Sequence, residues 1–188
     1  GAAELETTPF AADSRFAKQL ETAAKMVKAL AADGTERAIF YTSRGGFDSH
    51  RSVDLDDNFA DIDAVAKLAA ELKAQGRWDD TVVVGLSEFG RTLKSNGLGT
   101  DHGWGGQAFL AGGALRGGRV LGRYPDKLTD DADIMITKGR TLPTTPWEAI
   151  WTGVAQWFGV DDAQLADVLP NARNFPGEQL FDKAQLFE

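Results

Sequence analysis

The stretch TVVVGL, Thr81 to Leu86, decides the predicted fold, because its three consecutive valines are typical of a buried strand. A strand that is apolar on both faces belongs at the centre of a sheet with helices packed on each side. RAIFYTS, Arg37 to Ser43, is a second run of β-branched and aromatic residues, and the glycines of GGFDSH, residues 45–50, end it. We therefore predict two buried strands, each followed by a loop.

Helical periodicity appears before each of these strands. Apolar residues at spacings of three and four predict helices from Asp13 to Asp33, with Asp13 or Ser14 as N-cap, and from about Asp57 to Gln75. A third helix is predicted between Thr145 and Gly159. The alternation of helices and strands predicts an α/β protein with a mostly parallel central sheet and helices on both faces.

Length and glycine pattern complete the predicted architecture. The 188 residues, 43% of them hydrophobic, suffice for one core, so we predict a single α/β domain over residues 1–188. Residues 160–188 mix turn residues with large apolar ones, which predicts a tail that packs back over the domain. Paired glycines in QAFLAGGALRGGRVLG, residues 107–122, predict a glycine-rich hairpin or two edge strands.

Composition argues against two classes of protein. The net charge of −8, without a basic cluster, argues against nucleic-acid binding, because a phosphate backbone repels an acidic surface. No run approaches the roughly 20 apolar residues of a membrane-spanning helix, so we expect no membrane span. Since the chain has no cysteine, its strong metal ligands are carboxylates and imidazoles.

The chain has two histidines, and each follows a predicted strand and lies near an aspartate. His50 ends GGFDSH, and His102 belongs to GTDHG, residues 99–103, which comes after LSEFGRT, residues 86–92. Because ligands bind beyond the carboxyl ends of strands in open α/β sheets, we expect both motifs at one sheet edge. Carboxylates with imidazoles suit a divalent metal, zinc first, with manganese, iron, magnesium and calcium as alternatives. The candidate metal ligands are Asp48, His50, Glu88, Asp101 and His102.

Other interpretations of these residues stay open. Each aspartate can instead cap a turn, with each histidine an ordinary polar group. Glu88 and Arg91 are the candidate catalytic residues, Glu88 as a general base and Arg91 as a contact for an anionic ester oxygen, or they form a simple ion pair. Glu88 and Asp101 together also allow a carbohydrate-processing acid/base enzyme, although nothing in the sequence fixes their separation.

Taken in order, GGFDSH, LSEFGRT, GTDHG and GGALRGGRVLGRYP resemble the family catalogued as domain of unknown function 1501, over about residues 37–175. That family is placed with the alkaline-phosphatase-like and sulfatase-like superfamily. The resemblance implies an alkaline-phosphatase-like α/β fold with a two-metal site at the carboxyl edge of its strands. It also implies that the chain is the carboxy-terminal part of a longer domain. Exported homologues favour an extracytoplasmic location, periplasmic or secreted.

The resemblance also implies roles for individual residues. Asp48 and His50 would supply one metal site, Glu88 would stand where the superfamily has an Asp-His pair, and His102 would complete the first metal shell. Asp101 would be a ligand or the partner that orients His102. The superfamily's Ser or Thr nucleophile lies in an amino-terminal half. Either a partner chain of the same precursor supplies that half, or this chain is a cleaved product, or the protein has lost catalysis. We therefore expect a metal-dependent hydrolase of phosphate or sulfate esters, incomplete in this chain, or else a non-catalytic binding or assembly module.

Overall fold

A computed structural model describes residues 4–7, 10, 14–52 and 55–188, and the chain divides into two compact units. The first unit comprises Gly1–Asp48 and Ser52–Thr81, and the second comprises Ser49–Arg51 and Val82–Glu188. Asp13, one of the two predicted caps of the first helix, lies outside the described residues.

The first unit is built on helices α1 (Arg15–Ala32) and α2 (Leu55–Ala74), close to the two helices predicted from the sequence. Ser14 caps α1, since its Oγ accepts a hydrogen bond from the Ala17 N–H at 3.3 Å, which confirms one of the predicted caps. Apolar side chains at helical spacing are buried on both helices: Ala17, Leu20 and Ala24 on α1, and Ala64, Leu68 and Leu72 on α2.

A buried glutamate on α2, which no sequence motif marks, holds the N-terminal segment of this unit. Glu71 is 0% exposed, and its carboxylate accepts hydrogen bonds from the Glu6 N–H at 2.9 Å and the Thr7 N–H at 2.8 Å. Thr7 Oγ1 and Gln75 Nε2 donate at 2.7 and 2.6 Å. Burial by itself raises the pKa of Glu71, but the hydrogen bonds from Glu6, Gln75 and Thr7 together bring that pKa below its ordinary value.

The predicted strand Arg37–Ser43 is wrong. These residues form neither a helix nor a strand and join no β-ladder in the described part of the chain, and Ile39 and Tyr41 are 82% and 90% exposed. Ser43 is instead held by a side chain of α1: its N–H donates to Gln19 Oε1 at 2.9 Å and its carbonyl accepts from Gln19 Nε2 at 3.2 Å. A β-branched run forms a strand only where a neighbouring strand satisfies its backbone, and sequence propensity does not supply that neighbour.

The second unit contradicts the predicted α/β fold class with its mostly parallel central sheet. Its described residues form two sheets of two antiparallel strands each. Strand β1 (Val82–Gly85) pairs with β4 (Phe109–Gly112), and β2 (Gly90–Ser95) pairs with β3 (Thr100–Gly103). The four residues between β2 and β3 allow antiparallel pairing alone, because parallel neighbours need a crossover of a dozen residues or more. The alkaline-phosphatase-like architecture is therefore also wrong for this chain.

The prediction of a glycine-rich hairpin is wrong for a related reason. Part of residues 107–122 does form a strand, β4, but its partner is β1 rather than the segment that follows it. Leu115 forms an isolated antiparallel bridge with Phe187, near the other end of the unit's sequence. The paired glycines thus mark a turn between two long-range pairings.

The core of the second unit lies between the β1–β4 sheet and helices α3 (Glu148–Phe158) and α5 (Lys183–Leu186). A short helix, α4 (Leu165–Val168), and 3₁₀ turns at Thr137–Gly139, Ala172–Asn174 and Gly177–Gln179 connect the rest. Val154, Leu186 and Phe187 are its buried residues, and the Phe187 ring stacks on Trp157 with 5.2 Å between centroids. Among the residues described here, no helix has both the length and the apolar character needed to cross a membrane.

Candidate metal centre

The β2–β3 hairpin carries the second histidine motif. Its turn, SNGLG, is closed by Asn96: the Asn96 N–H donates to the Gly99 carbonyl at 3.0 Å, and Asn96 Oδ1 accepts from the Leu98 and Gly99 N–H groups at 3.0 and 2.8 Å. Gly97 adopts a φ of +102°, which glycine tolerates best. The turn brings β3 back along β2, with Arg91 opposite His102 in the register.

The first histidine motif docks on this hairpin through its backbone. The Ser49 carbonyl accepts a hydrogen bond from the Thr100 N–H at 3.3 Å, and the His50 carbonyl accepts one from Asn96 Nδ2 at 3.1 Å. Close approach at Gly99 makes this docking possible, because an added Cβ there would lie 2.6 Å from both the His50 carbonyl carbon and the Ser49 oxygen. Ser49 and His50 are thereby joined, within the second unit, to a hairpin about 50 residues further along the chain.

The imidazoles of His50 and His102 lie side by side. Their ring centroids are 5.0 Å apart with a 31° angle between planes, and each ring offers a nitrogen within 4.8 Å of the other ring's nitrogen. His102 also stacks on Phe89, with 3.9 Å between centroids and 9° between planes. Both histidines are exposed. Both imidazoles therefore lie at the solvent-exposed surface of the hairpin.

Asp101 is hydrogen bonded to His50. Its Oδ1 lies 3.2 Å from His50 Nδ1 and accepts a second hydrogen bond from Asn96 Nδ2 at 2.9 Å. These two hydrogen bonds, Asn96 first, lower the pKa of Asp101 below its ordinary value, and the charges of His50 and Arg140 lower it further. Asp101 is therefore an ionised carboxylate beside the histidine pair at neutral pH.

Arg91 and Glu88 lie at the start of the hairpin. Arg91 donates from Nε to Thr100 Oγ1 at 3.0 Å and from Nη2 to the Thr100 carbonyl, and its guanidinium is 5.8 Å from the centre of the Phe89 ring. Directly opposite residues of an antiparallel pair share a face, so Arg91 and His102 project to the same side of the hairpin. Glu88 is exposed in the bend between β1 and β2. Their catalytic roles stay predictions.

Asp48, the remaining predicted ligand, precedes His50 by two residues. It is exposed and ends the first segment of the first unit. A span of two residues keeps the Cα atoms of Asp48 and His50 within about 7 Å of each other. Chain connectivity therefore keeps this carboxylate in the neighbourhood of the first histidine.

Asn96, Thr92 and Phe89 also contribute to the site, although none of them is a predicted site residue. Asn96-Gly97 is a typical hairpin dipeptide, and it would have predicted the turn that supports both motifs. Thr92, 5% exposed, accepts the Asp101 N–H through Oγ1 at 3.0 Å. No local pattern identifies Phe89 as the residue that stacks on His102, because that contact depends on the strand pairing.

The fold and the site define a protein of two small units, the second of which carries an exposed histidine pair supported by an ionised carboxylate. The model of the family described as Protein of unknown function (DUF1501) matches residues 2–145, and the chain belongs to that family. The matched residues include both histidine motifs. No curated protein and no solved structure matches the chain.

Substituting Gly99 by alanine tests how the two motifs are joined. We expect Gly99→Ala to displace Ser49 and His50 from the hairpin, at a cost on the order of 1–3 kcal/mol from overpacking. Faster hydrogen exchange of the Thr100 amide, which donates to Ser49, would show the displacement. Gly45→Ala is the matched control, since a Cβ there meets nothing within 4 Å. Equal Thr100 protection in both variants would contradict the docking described above.

Proposed function

We propose that this chain binds a divalent metal ion, zinc first, through the imidazoles of His50 and His102, with Asp48 as a carboxylate ligand. The observation that carries the proposal is the approach of one nitrogen from each ring to within 4.8 Å of the other. In a tetrahedral zinc site with Zn–N bonds of about 2.0–2.1 Å, two ligand nitrogens lie roughly 3.4 Å apart. A modest side-chain rotation of exposed rings closes that difference. Manganese, iron, magnesium and calcium remain the alternative ions.

We further propose that the metal centre serves the hydrolysis of phosphate or sulfate esters. A bound divalent ion would polarise the ester oxygen and lower the pKa of a coordinated water. The position of Arg91 favours an anionic substrate, because its guanidinium projects to the same side of the hairpin as His102 and can donate hydrogen bonds to an anionic oxygen there. Glu88, exposed before β2, is the proposed general base. The ester chemistry itself comes from the resemblance to the superfamily and not from the fold.

Three parts of this proposal extend beyond the chain. A partner chain from the amino-terminal half of the same precursor would supply the Ser or Thr nucleophile. The chain would then act as the carboxy-terminal part of a longer domain. An extracytoplasmic location, inferred from exported homologues, completes the proposal.

A binding or assembly module is the second candidate, and the exposure of the site favours it. The side chains of His50 and Asp101 are 46% and 40% exposed. Catalytic centres are usually concave and shielded from water, because shielding strengthens the electrostatic interactions that lower the barrier. A metal ion held at an open hairpin surface would instead organise the docked segment or a partner protein.

Zinc titration of the metal-free protein tests the proposal. We expect saturable binding of one zinc ion per chain by isothermal titration calorimetry, with metal content confirmed by plasma mass spectrometry. Zinc-dependent hydrolysis of p-nitrophenyl phosphate or sulfate would support the hydrolase, and stoichiometric zinc without turnover would support the binding module. Asp126→Asn/Asp133→Asn, which removes two exposed carboxylates elsewhere in the unit, controls for non-specific attraction of cations. Absence of saturable binding would refute the metal centre.

A further inference from the structure

The Asn96 side chain links Asp101 to His50 in two ways. Asn96 Nδ2 donates to Asp101 Oδ1 at 2.9 Å and to the His50 backbone carbonyl at 3.1 Å. Asn96 Oδ1 accepts the N–H groups of Leu98 and Gly99. Both donors and both acceptor positions of the amide are therefore used, which fixes its orientation in the turn.

Asp101 is also fixed from its own backbone. The Asp101 N–H donates to Thr92 Oγ1 at 3.0 Å, and that hydroxyl donates in turn to the Lys94 carbonyl at 2.8 Å. Thr92 is 5% exposed, so the hydrogen bond between its hydroxyl and the Asp101 N–H is shielded from water. The hairpin thus fixes the position of the Asp101 carboxylate that contacts His50.

The chemistry of this contact selects one form of the His50 ring. An ionised carboxylate can only accept hydrogen bonds, and in a neutral imidazole one nitrogen donates while the other keeps its lone pair. Because Asp101 Oδ1 lies 3.2 Å from His50 Nδ1, the proton belongs on Nδ1. The lone pair is then on Nε2, which is the form that a metal ion requires of a ligand on that nitrogen.

On the basis of the proposed metal centre, we propose that Asp101 is a positioning residue that holds His50 in the Nδ1–H tautomer and presents Nε2 to the metal ion. The hydrogen bond goes to His50, whereas the resemblance suggested His102 as the histidine that Asp101 orients. His102 has a different support, its stacking on Phe89. The two histidines are therefore oriented by different means, one by a carboxylate and one by an aromatic ring.

Nitrogen NMR of the metal-free protein tests this inference directly. The chain has two histidines, so a ¹⁵N-labelled sample gives two imidazole spin systems, and His102→Ala assigns them. In a neutral imidazole the proton-bearing and the lone-pair nitrogen resonate in separate ranges, so spectra recorded at about pH 8 report the tautomer. We expect His50 mainly as the Nδ1–H tautomer in the wild type and a loss of that preference in Asp101→Asn. Asp126→Asn, an exposed carboxylate outside the hairpin, should leave the preference unchanged.

Zinc affinity of the same variants separates positioning from ligation. We expect Asp101→Asn to weaken zinc binding about 10–100-fold, the usual cost of losing an outer partner of a metal-bound histidine. A wild-type His50 ring mainly in the Nε2–H form, or an unchanged tautomer ratio in Asp101→Asn, would overturn the inference. So would a loss of zinc binding in Asp101→Asn as complete as in His50→Ala, since Asp101 would then be a ligand. If the wild type binds no zinc, the proposed function fails, while the tautomer measurement still decides the role of Asp101.

Discussion

Replacing His50 and His102 together by alanine is expected to abolish saturable zinc binding. Each single substitution should weaken binding more than about 100-fold, because a lost ligand costs more than the roughly 10–100-fold lost with an outer partner. Isothermal titration calorimetry of metal-free protein measures both effects. The reason is geometric: the two rings offer nitrogens within 4.8 Å of each other, which one ion can bridge.

The double variant distinguishes one shared ion from two separate ones. If one ion joins both rings, the two losses are strongly non-additive, because the first substitution already removes the site on which the second acts. Independent sites would instead show half the stoichiometry in each single variant. His50→Gln and His102→Gln keep a polar side chain of similar size. They test whether zinc binding is lost because a ligand is removed or because the hairpin no longer folds. Unchanged Thr100 amide protection in the Gln variants shows that the docking of Ser49 persists.

A second large effect is expected at Glu71. Glu71→Ala removes the acceptor of four hydrogen bonds, from the N–H groups of Glu6 and Thr7 and from the side chains of Thr7 and Gln75. We expect a loss on the order of 2–4 kcal/mol in the free energy of unfolding of the first unit, because charged hydrogen bonds disappear and buried donors lose their partner. Hydrogen exchange of the α1 and α2 amides localises the loss to this unit.

Two variants serve as comparisons for Glu71→Ala. Glu21→Ala breaks a surface ion pair with Lys25, 2.6 Å long, and should change stability by no more than about 0.5 kcal/mol. Glu71→Gln keeps the size of the side chain but places an amide group against donors, so it should also destabilise the unit. A Glu71→Ala effect no larger than that of Glu21→Ala would show that the N-terminal segment contributes nothing to the stability of α2.

The pH dependence of the wild type follows from the lowered pKa of Glu71. A carboxyl group whose pKa is lower in the folded than in the unfolded protein stabilises the fold fully above the unfolded pKa. That contribution is lost as the pH falls through the lower pKa of the folded state. The difference in unfolding free energy between wild type and Glu71→Gln should therefore shrink as the pH falls below the ordinary glutamate pKa of 4.5 and through the lower pKa of the folded state. A constant difference would show that the pKa of Glu71 is the same in the folded and the unfolded protein, and a difference that grows as the pH falls would show that folding raises that pKa.

The helices of this protein were predictable because their signals are local. The apolar spacing of α1 and the capping of its first turn by Ser14 both lie within one stretch of sequence. Strand pairing is not local. Val82–Gly85 pairs with Phe109–Gly112, and three valines in a row do not reveal whether their neighbour is parallel or antiparallel. Arg37–Ser43 has the same composition as a strand but has no ladder partner among the described residues.

The candidate site divides in the same way. The sequence identified the two histidines and their aspartates by residue type, which is a local property. The sequence predicted that they meet at the edge of a parallel sheet. They meet instead at an antiparallel hairpin, where Asn96 Nδ2 donates to the His50 carbonyl and the Thr100 N–H donates to the Ser49 carbonyl. The contact between Asp101 and His50 depends on the four-residue turn between β2 and β3. The hydrogen bonds of Glu71 depend on an N-terminal segment about 64 residues away in the chain.

By itself, then, the sequence determined the three longest helices, the acidic and cysteine-free composition, the family and the side chains available for metal chemistry. Tertiary structure alone decided the antiparallel pairing, the partner of Asp101 and the burial of Glu71. The physical reason is that helix formation rests on contacts three or four residues apart. Sheets and polar clusters instead rest on pairings between distant segments, and the choice among those pairings depends on the whole packed chain.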